Sequence, residues 1–159
     1  MRSVLLALVL CAAFAGLASA SDCACKKSTL DQSLASSDLV FLGTVERVRD
    51  SLVTVAEPRG KTRTRKLQAG FVRMQSIWKG TPSRQLTVFG LPRGECSAWP
   101  GFNAGETYLV FANQDPTVGV RVEPCSATAP RSKSESSIAA LGQPAVVQRL
   151  PALKNRPNN

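Results

Sequence analysis

The clearest indication of the fold class is a ten-residue stretch, Leu39-Val40-Phe41-Leu42-Gly43-Thr44-Val45-Glu46-Arg47-Val48. Its first four residues are all apolar, which is typical of a strand that is buried on both faces. From Gly43 onward, apolar and polar residues alternate, which indicates a strand with one face toward a core and the other toward solvent. The stretch therefore predicts a β-strand that is first buried on both faces and then on one.

Similar patterns recur along the chain. Short runs of aliphatic, aromatic and β-branched residues, bounded by Gly, Pro or charged residues, predict further strands. These strands are residues 51–56, 71–78, 85–90, 107–112 and 118–123. The triplet Arg49-Asp50-Ser51 is short enough for a tight connection between the first two strands. Residues 107–112 are nearly all apolar and are expected to form a central strand that pairs with 118–123.

Two short helices are expected to flank the strands. Thr29 and Gln32 form a capping-box pattern that predicts a helix over 29–37, and Ser132 with Glu135 predicts a second helix that ends at Gly142. Because the strands are short and do not alternate with helices, the sequence predicts a mainly β protein built as a small closed barrel. Residues 144–159 are expected to form a flexible tail.

The first 20 residues have the pattern of a secretory signal peptide. Arg2 supplies a positive charge, residues 4–15 form an apolar run, and Ala18-Ser19-Ala20 is a small-residue cleavage pattern. The apolar run is shorter than the roughly 20 residues needed to span a bilayer. We therefore expect residues 1–20 to be removed and the mature protein to be secreted, into the extracellular space or the periplasm, without a membrane anchor.

Removal of residues 1–20 leaves 139 residues, enough for one domain, which is predicted at 21–143 and expected to be monomeric. The formal charge of the whole chain, +9, favours polyanionic partners. Five cations fall in a stretch predicted to be an exposed loop, and they are candidate polyanion-binding residues: Arg59, Lys61, Arg63, Arg65 and Lys66. Arg63 and Arg65 would share one face if the strand extended outward, which suits phosphate or sulfate groups. A basic polyanion-binding or cell-surface structural module is therefore one candidate function.

The mature chain has four cysteines, Cys23, Cys25, Cys96 and Cys125, because Cys11 leaves with the signal peptide. An even number of cysteines in an exported chain predicts two disulfides. A bridge between Cys23 and Cys25 is disfavoured because the i,i+2 spacing strains it. Either of the other two pairings ties the N-terminus to two distant points, and the spacing leaves both open. Each bridge would constrain the unfolded chain by about 4 to 5 kcal/mol in the entropic model.

The sequence lacks the common motifs of catalytic and metal sites. The chain has no histidine, no Gly-x-Ser-x-Gly motif and no phosphate-binding loop, and its acidic residues do not form a recognisable catalytic pair. One Cys-x-Cys without a second close pair does not have zinc-site spacing. Nucleic-acid binding would require stacking aromatic residues, which the apolar strands need for the core. We therefore predict a protein that is not an enzyme, uses no cofactor or metal and binds no nucleic acid.

Several motifs occur in one order along residues 21–143. They are Cys23-x-Cys25, Ser37-Asp38-Leu39-Val40-Phe41-x-Gly43-x-Val45, Ile77-Trp78-Lys79-Gly80, Glu95-Cys96, Gly105-x-x-Tyr108-Leu109-Val110-Phe111-Ala112, the strand that ends at Cys125, and the last helix. This ordered set resembles the netrin-like domain and, more narrowly, the tissue inhibitors of metalloproteinases. The resemblance implies a five-stranded OB-type closed barrel with short flanking helices and the disulfides Cys23–Cys96 and Cys25–Cys125.

The resemblance also implies a binding surface for a protein partner. Inhibitors of this family bind through an N-terminal cysteine, whose free amino group and carbonyl oxygen chelate the catalytic zinc of a protease. The Cys-x-Cys strand and the segment before the partner cysteine fill the substrate cleft. We call the corresponding surface the N-terminal ridge, and it comprises Ser21, Asp22, Cys23, Ala24, Cys25, Lys26, Gly94 and Glu95.

The predicted cleavage leaves Ser21 and Asp22 ahead of Cys23, unlike the family pattern. The nitrogen of Cys23 is then an amide, which is a very poor zinc ligand, and the two added residues would collide with the metal site. The sequence therefore predicts a secreted protein-binding module, with an extracellular metalloprotease as the candidate partner and with zinc chelation disfavoured.

Overall fold

The computed structural model describes residues 26–56, 61–96, 99 and 101–148. Within them the chain is mainly β, as the sequence predicts. The strands are β1 (Leu39–Ala56), β2 (Thr62–Lys79), β3 (Gln85–Gly90), β4 (Thr107–Asp115), β5 (Gly119–Val122), β6 (Ala129–Pro130) and β7 (Val146–Val147). The helices are α1 (Leu30–Ser36), a 3-10 turn over Arg131–Lys133, and α2 (Glu135–Leu141).

Five of the strands form a hydrogen-bonded ring. β1 pairs with β2, β2 with β3, β3 with β5, β5 with β4, and β4 pairs again with β1. All of these pairings are antiparallel except β3–β5, which is parallel through Val88↔Val120 and Phe89↔Arg121. The predicted pairing of the last two long strands is confirmed by the antiparallel β4–β5 ladder.

β1 is one strand of 18 residues, so the tight connection predicted at Arg49-Asp50-Ser51 is wrong. Asp50 pairs with Gln68 and Ser51 with Leu67, in a register that continues to Ala56. The polar triplet can remain in a strand because Arg49 and Asp50 are exposed to solvent. The irregularities of β1 are register shifts in its pairing with β2, the last of them between Val45 and Arg47. Bulges of this kind bend a strand without ending it.

β2 begins at Thr62, so the exposed loop predicted up to Lys66 is wrong from residue 62 onward. Residues 62–66 pair with 52–56 of β1 and are exposed, and residues 57–60 lie outside the described part of the chain. β3 pairs with β2 only from Gln68. Residues 51–56 of β1 and 62–67 of β2 therefore form a two-stranded ribbon beyond the rest of the sheet, which we call the arm.

The inner face of the ring is filled by one hydrophobic cluster, to which Phe41, Val72 and Met74 contribute from β1 and β2. The loop between β3 and β4 adds Trp99 and Phe102, and β4 adds Tyr108. Phe102 lies edge-on to both other rings, with centroid distances of 5.0 Å to Trp99 and 5.4 Å to Tyr108. The three aromatic residues are at most 3% exposed, so the loop is an integral part of the core.

A second cluster lies on the opposite face of the sheet, around Val40 and Leu42 of β1 and Leu109 and Phe111 of β4. Leu30 and Leu34 of α1 and Ile138 and Leu141 of α2 pack against it. The two clusters confirm that the first residues of β1 are buried on both faces, with Phe41 on one side and its neighbours on the other.

The two predicted capping boxes have different outcomes. The first is confirmed, since the Gln32 backbone N–H donates to Thr29 Oγ1 (3.3 Å) and the Thr29 N–H donates to Gln32 Oε1 (3.0 Å). The second is wrong, because α2 begins at Glu135 after the 3-10 turn, with Ser134 as N-cap and no side-chain capping bond. The buried Ser134 hydroxyl points back to the carbonyl oxygens of Ala129 (3.3 Å) and Pro130 (2.9 Å) instead.

The C-terminal end of the described chain returns to the sheet. Val146 and Val147 pair with Ile77 and Ser76 of β2, and Val146 packs against the inner cluster. Both valines fall in the segment that the sequence predicts as a tail. Residues 149–159 lie outside the described residues.

Cys96 lies at the end of the exposed turn that follows β3 and is 1% exposed, whereas Cys125 follows β5. Both are disulfide-bonded. Cys23 and Cys25 lie outside the described residues, so the two pairings stay a prediction. The proposed signal peptide lies outside them as well, and no helix in the described ranges has the length and apolarity to cross a bilayer.

Gly70 allows the aromatic cluster to approach the sheet, which gives a test of the core. A Cβ at this position would lie 2.8 Å from Cδ2 of Phe102, whose ring is held between Trp99 and Tyr108. We expect Gly70→Ala to lower the free energy of unfolding by about 1–3 kcal/mol, as overpacked cores do. Urea denaturation measures this. Thr64→Ala, an exposed change on the same strand, is the control and is expected to shift stability by about 0.5 kcal/mol or less. Equal effects of both changes would contradict this account of the core.

Candidate functional site

The N-terminal ridge lies only partly within the described residues. Ser21, Asp22, Cys23, Ala24 and Cys25 fall outside them, whereas Lys26, Gly94 and Glu95 are described and exposed. Just after Lys26, the backbone N–H of Ser28 donates to the carbonyl oxygen of Cys125 at 2.7 Å. The chain that leaves the ridge is therefore fixed beside the end of β5.

Gly94 and Glu95 lie on a turn of the loop between β3 and β4. Gly94 has a φ of +87°, which side chains with a Cβ rarely adopt, so the turn depends on glycine at this position. The loop is tied down on both sides of the turn. Trp99 Nε1 donates to the Leu91 carbonyl at 2.6 Å, and the side chain of Gln68 bonds to both backbone groups of Phe102.

Tyr108 fixes the end of the same loop. Its hydroxyl lies 2.6 Å from Glu106 Oε2 and accepts the backbone N–H of Asn103 at 3.0 Å. The Asn103 side-chain amide donates to the same Glu106 oxygen at 2.9 Å. Burial, supported by the hydrogen bond to Glu106, raises the pKa of Tyr108 to about 12, and the same bond lowers the pKa of Glu106. Tyr108 therefore stays protonated at neutral pH and acts as a structural anchor.

The Tyr108 pKa can be measured directly because the chain has a single tyrosine. We expect tyrosinate absorbance in the folded protein to develop around pH 12, against about pH 10 in denaturant. A folded-state pKa above the unfolded one means that this group's contribution to stability is complete below pH 10 and is lost as pH rises toward 12. Glu106→Gln should lower the midpoint, because the carboxylate is removed while burial remains. Far-UV circular dichroism at each pH is the control, and a midpoint near 10 with intact structure would contradict the network.

The arm carries the second set of predicted site residues. Arg63 and Arg65 are exposed and stand opposite Val55 and Val53, so they share one face of the ribbon. Lys66 lies on the other face, where its Nζ is 2.8 Å from Asp50 Oδ2, and this hydrogen bond raises the Lys66 pKa. Lys61 is exposed just before β2, and Arg59 falls outside the described residues.

Two further arginines lie on the same face as Arg63 and Arg65, although the sequence-based prediction does not include them. Arg47 and Arg49 are exposed and lie at alternate positions of β1, opposite Phe71 and Ala69. The guanidinium carbons of Arg47 and Arg49 lie 4.1 Å and 5.8 Å from the centroid of the Phe71 ring. Their i,i+2 spacing is visible in the sequence, but the predicted break at residue 49 separated them from the arm.

A cleft of about 410 Å³ lies beside Arg47 and Phe71. Glu46, Gln85, Leu86 and Thr87 complete its lining. Glu46 is already partnered, since Gln85 Nε2 donates to its Oε2 at 3.0 Å and Arg73 Nε lies 3.1 Å from its Oε1. Arg73 Nε is buried and has no hydrogen-bond partner among the described residues, so its contact with Glu46 is an ion pair that acts mainly by electrostatic attraction.

No three His, Cys, Asp or Glu side chains in the described ranges are grouped so as to hold a metal ion. Comparison with known proteins found no family model and no curated protein that matches the chain.

Proposed function

We propose that the chain is a secreted, non-enzymatic binding module of the netrin-like class, built on a five-stranded OB-type closed barrel. The observation that carries the proposal is the ring order β1-β2-β3-β5-β4 with its return from β4 to β1. A single ring of five strands with flanking helices is the arrangement that an OB-type barrel requires. The proposed pairings Cys23–Cys96 and Cys25–Cys125 would fasten the N-terminus to the β3–β4 loop and to the end of β5.

The non-enzymatic part of the proposal is supported by the chemistry of the side chains. The chain contains no histidine, and its single tyrosine is held protonated inside the core. Asp50, Glu46 and Asp115 are occupied by ion pairs with basic side chains. A general base requires a free group that titrates near the working pH.

The proposed partner is a protein that docks on the N-terminal ridge, with an extracellular metalloprotease as the candidate. Its support is preorganisation. The Ser28–Cys125 hydrogen bond fixes the chain beside the ridge, and Trp99, Gln68 and Tyr108 fix the loop that presents Gly94 and Glu95. A rigid surface loses little conformational entropy on docking, so more of its contact energy is available for affinity.

Two versions of the protein test whether chelation contributes. The form that begins at Ser21 should inhibit metalloproteases weakly or not at all, because its Cys23 nitrogen is an amide. The form that begins at Cys23 should gain inhibition, since its free amine, with a pKa of about 8, can coordinate zinc. Inhibition constants measured with a fluorogenic peptide compare the two forms. N-terminal acetylation of the Cys23 form is the matched control, because it removes only the donor.

The outcomes separate the possibilities. Suppose that the Ser21 form inhibits potently and that the Cys23 form inhibits equally well before and after acetylation. The ridge would then occlude the cleft without chelation. Failure of both forms against a broad panel would remove the metalloprotease as the partner. Mass spectrometry of the exported protein establishes which N-terminus exists.

A further inference from the structure

Four exposed arginines lie on one face of the ribbon formed by β1 and β2. The register runs without interruption from Arg47↔Phe71 to Val55↔Arg63, so Arg47, Arg49, Arg63 and Arg65 point to the same side. We call this surface the arginine face. Strand residues rise about 3.4 Å each, so the face is about 27 Å long, with about 7 Å between adjacent arginines on one strand. A row of charges with this length suits an extended polymer better than a compact anion.

Within the described residues, the arginine face has no internal counter-charge. Among the described residues, none of its four arginines takes part in an ion pair. Asp50 is the only acid in residues 47–56 and 61–69, and it lies on the opposite face, bound to Lys66. Glu46, the nearest acid along β1, is engaged by Arg73 and Gln85. No carboxylate of the described ranges therefore competes with an external anion for the four positive charges.

Part of the face is preorganised. The Arg47 and Arg49 guanidinium groups lie over the Phe71 ring, which restricts their rotamers before any ligand arrives. The adjoining cleft offers the polar side chains of Gln85 and Thr87 next to Arg47. Guanidinium groups bind tetrahedral oxyanions with paired hydrogen bonds, and amide and hydroxyl groups bind sugar hydroxyls.

We propose that the arginine face binds a linear sulfated polysaccharide. This inference goes beyond the proposed protein-binding function and does not depend on the N-terminal ridge. Single-stranded nucleic acid is disfavoured because base stacking needs an open aromatic face, and Arg47 already covers Phe71. A lipid surface is disfavoured because Leu52, the most exposed large apolar side chain of the described residues, lies on the opposite face of the ribbon.

Two adjacent residues provide the sharpest test. Arg65→Gln and Lys66→Gln remove the same charge from neighbouring positions, but only Arg65 lies on the arginine face. With heparin as the probe, titration calorimetry should show that Arg65→Gln weakens binding by about tenfold, the loss of one charge-assisted contact. Lys66→Gln should bind like the unmodified protein. Equal losses in both variants would overturn the proposal, because they would indicate attraction to net charge alone.

A second pair of variants tests the part of the face that the sequence did not predict. Arg47→Gln with Arg49→Gln should weaken heparin binding by about a hundredfold if each arginine contributes one such contact. Arg131→Gln with Lys133→Gln removes two exposed charges from the 3-10 turn and should leave binding unchanged. A retained affinity in the Arg47–Arg49 variant would overturn the assignment of the face.

Competing ligands are tested in the same buffer. The protein should bind single-stranded DNA, and vesicles of phosphatidylcholine with phosphatidylserine, more weakly than heparin. If it binds either of them more tightly than heparin, and Arg65→Gln weakens that binding, the assignment of a polysaccharide ligand is overturned. Heparin binding should weaken with added salt, because exposed charges are screened within about 8–10 Å at 0.1–0.15 M. Protease inhibition by the form that begins at Cys23 should not change when the same substitutions are made in it, which keeps failure of this inference separate from failure of the proposed function.

Discussion

The double pairing of β1 is the constraint on which the rest of the structure depends. Between Leu39 and Thr44, β1 pairs with β4, and from Val40 onward it also pairs with β2. With both edges occupied, the ring closes and one face of β1 must turn inward, where Phe41 and Val45 join the core. The other face carries Val40 and Leu42, which α1 and α2 help to remove from water. Beyond Thr44, β4 no longer pairs with β1, and the strand continues with β2 into the arm. One strand thus produces the closed ring, the helix-covered face and the exposed ribbon.

The parts of the fold that could be predicted from sequence are those in which burial leaves a local pattern. Gln85–Gly90 forms a strand with the predicted bounds, and the helix over 29–37 has the predicted cap, because period and capping chemistry depend on near neighbours. The break expected at Arg49-Asp50-Ser51 is wrong because burial leaves no pattern in this part of the chain. A two-stranded ribbon in water accepts polar residues on both faces, so its sequence looks like a turn. The second capping box is wrong because tertiary packing buries Ser134 and diverts its hydroxyl to carbonyls upstream.

The candidate sites could be predicted only where they too depend on local sequence. Composition identifies the arm as basic, but it does not assign its cations to faces. Lys66 and Arg65 are adjacent in sequence, yet the register places Lys66 beside Asp50 and Arg65 beside Val53. Arg47 and Arg49 join Arg63 and Arg65 only through the antiparallel pairing of β1 with β2. A net positive charge is therefore a property of the sequence, whereas the arginine face is a property of the register.

The two faces of the arm also separate the two proposed binding surfaces. The raised pKa of Lys66 comes mainly from its hydrogen bond to Asp50, and the carboxylate of Glu95 adds a weaker attraction. Glu95 belongs to the N-terminal ridge, so the ridge loop attracts Lys66 electrostatically. The four arginines point to the other side of the ribbon. A strand alternates its side chains between opposite faces, so two chemically different surfaces can be built from consecutive residues. A polyanion on the arginine face would therefore leave the Lys66 side of the arm open. In this arrangement, the protein could be held on a sulfated polymer while its ridge remains accessible to a protein partner.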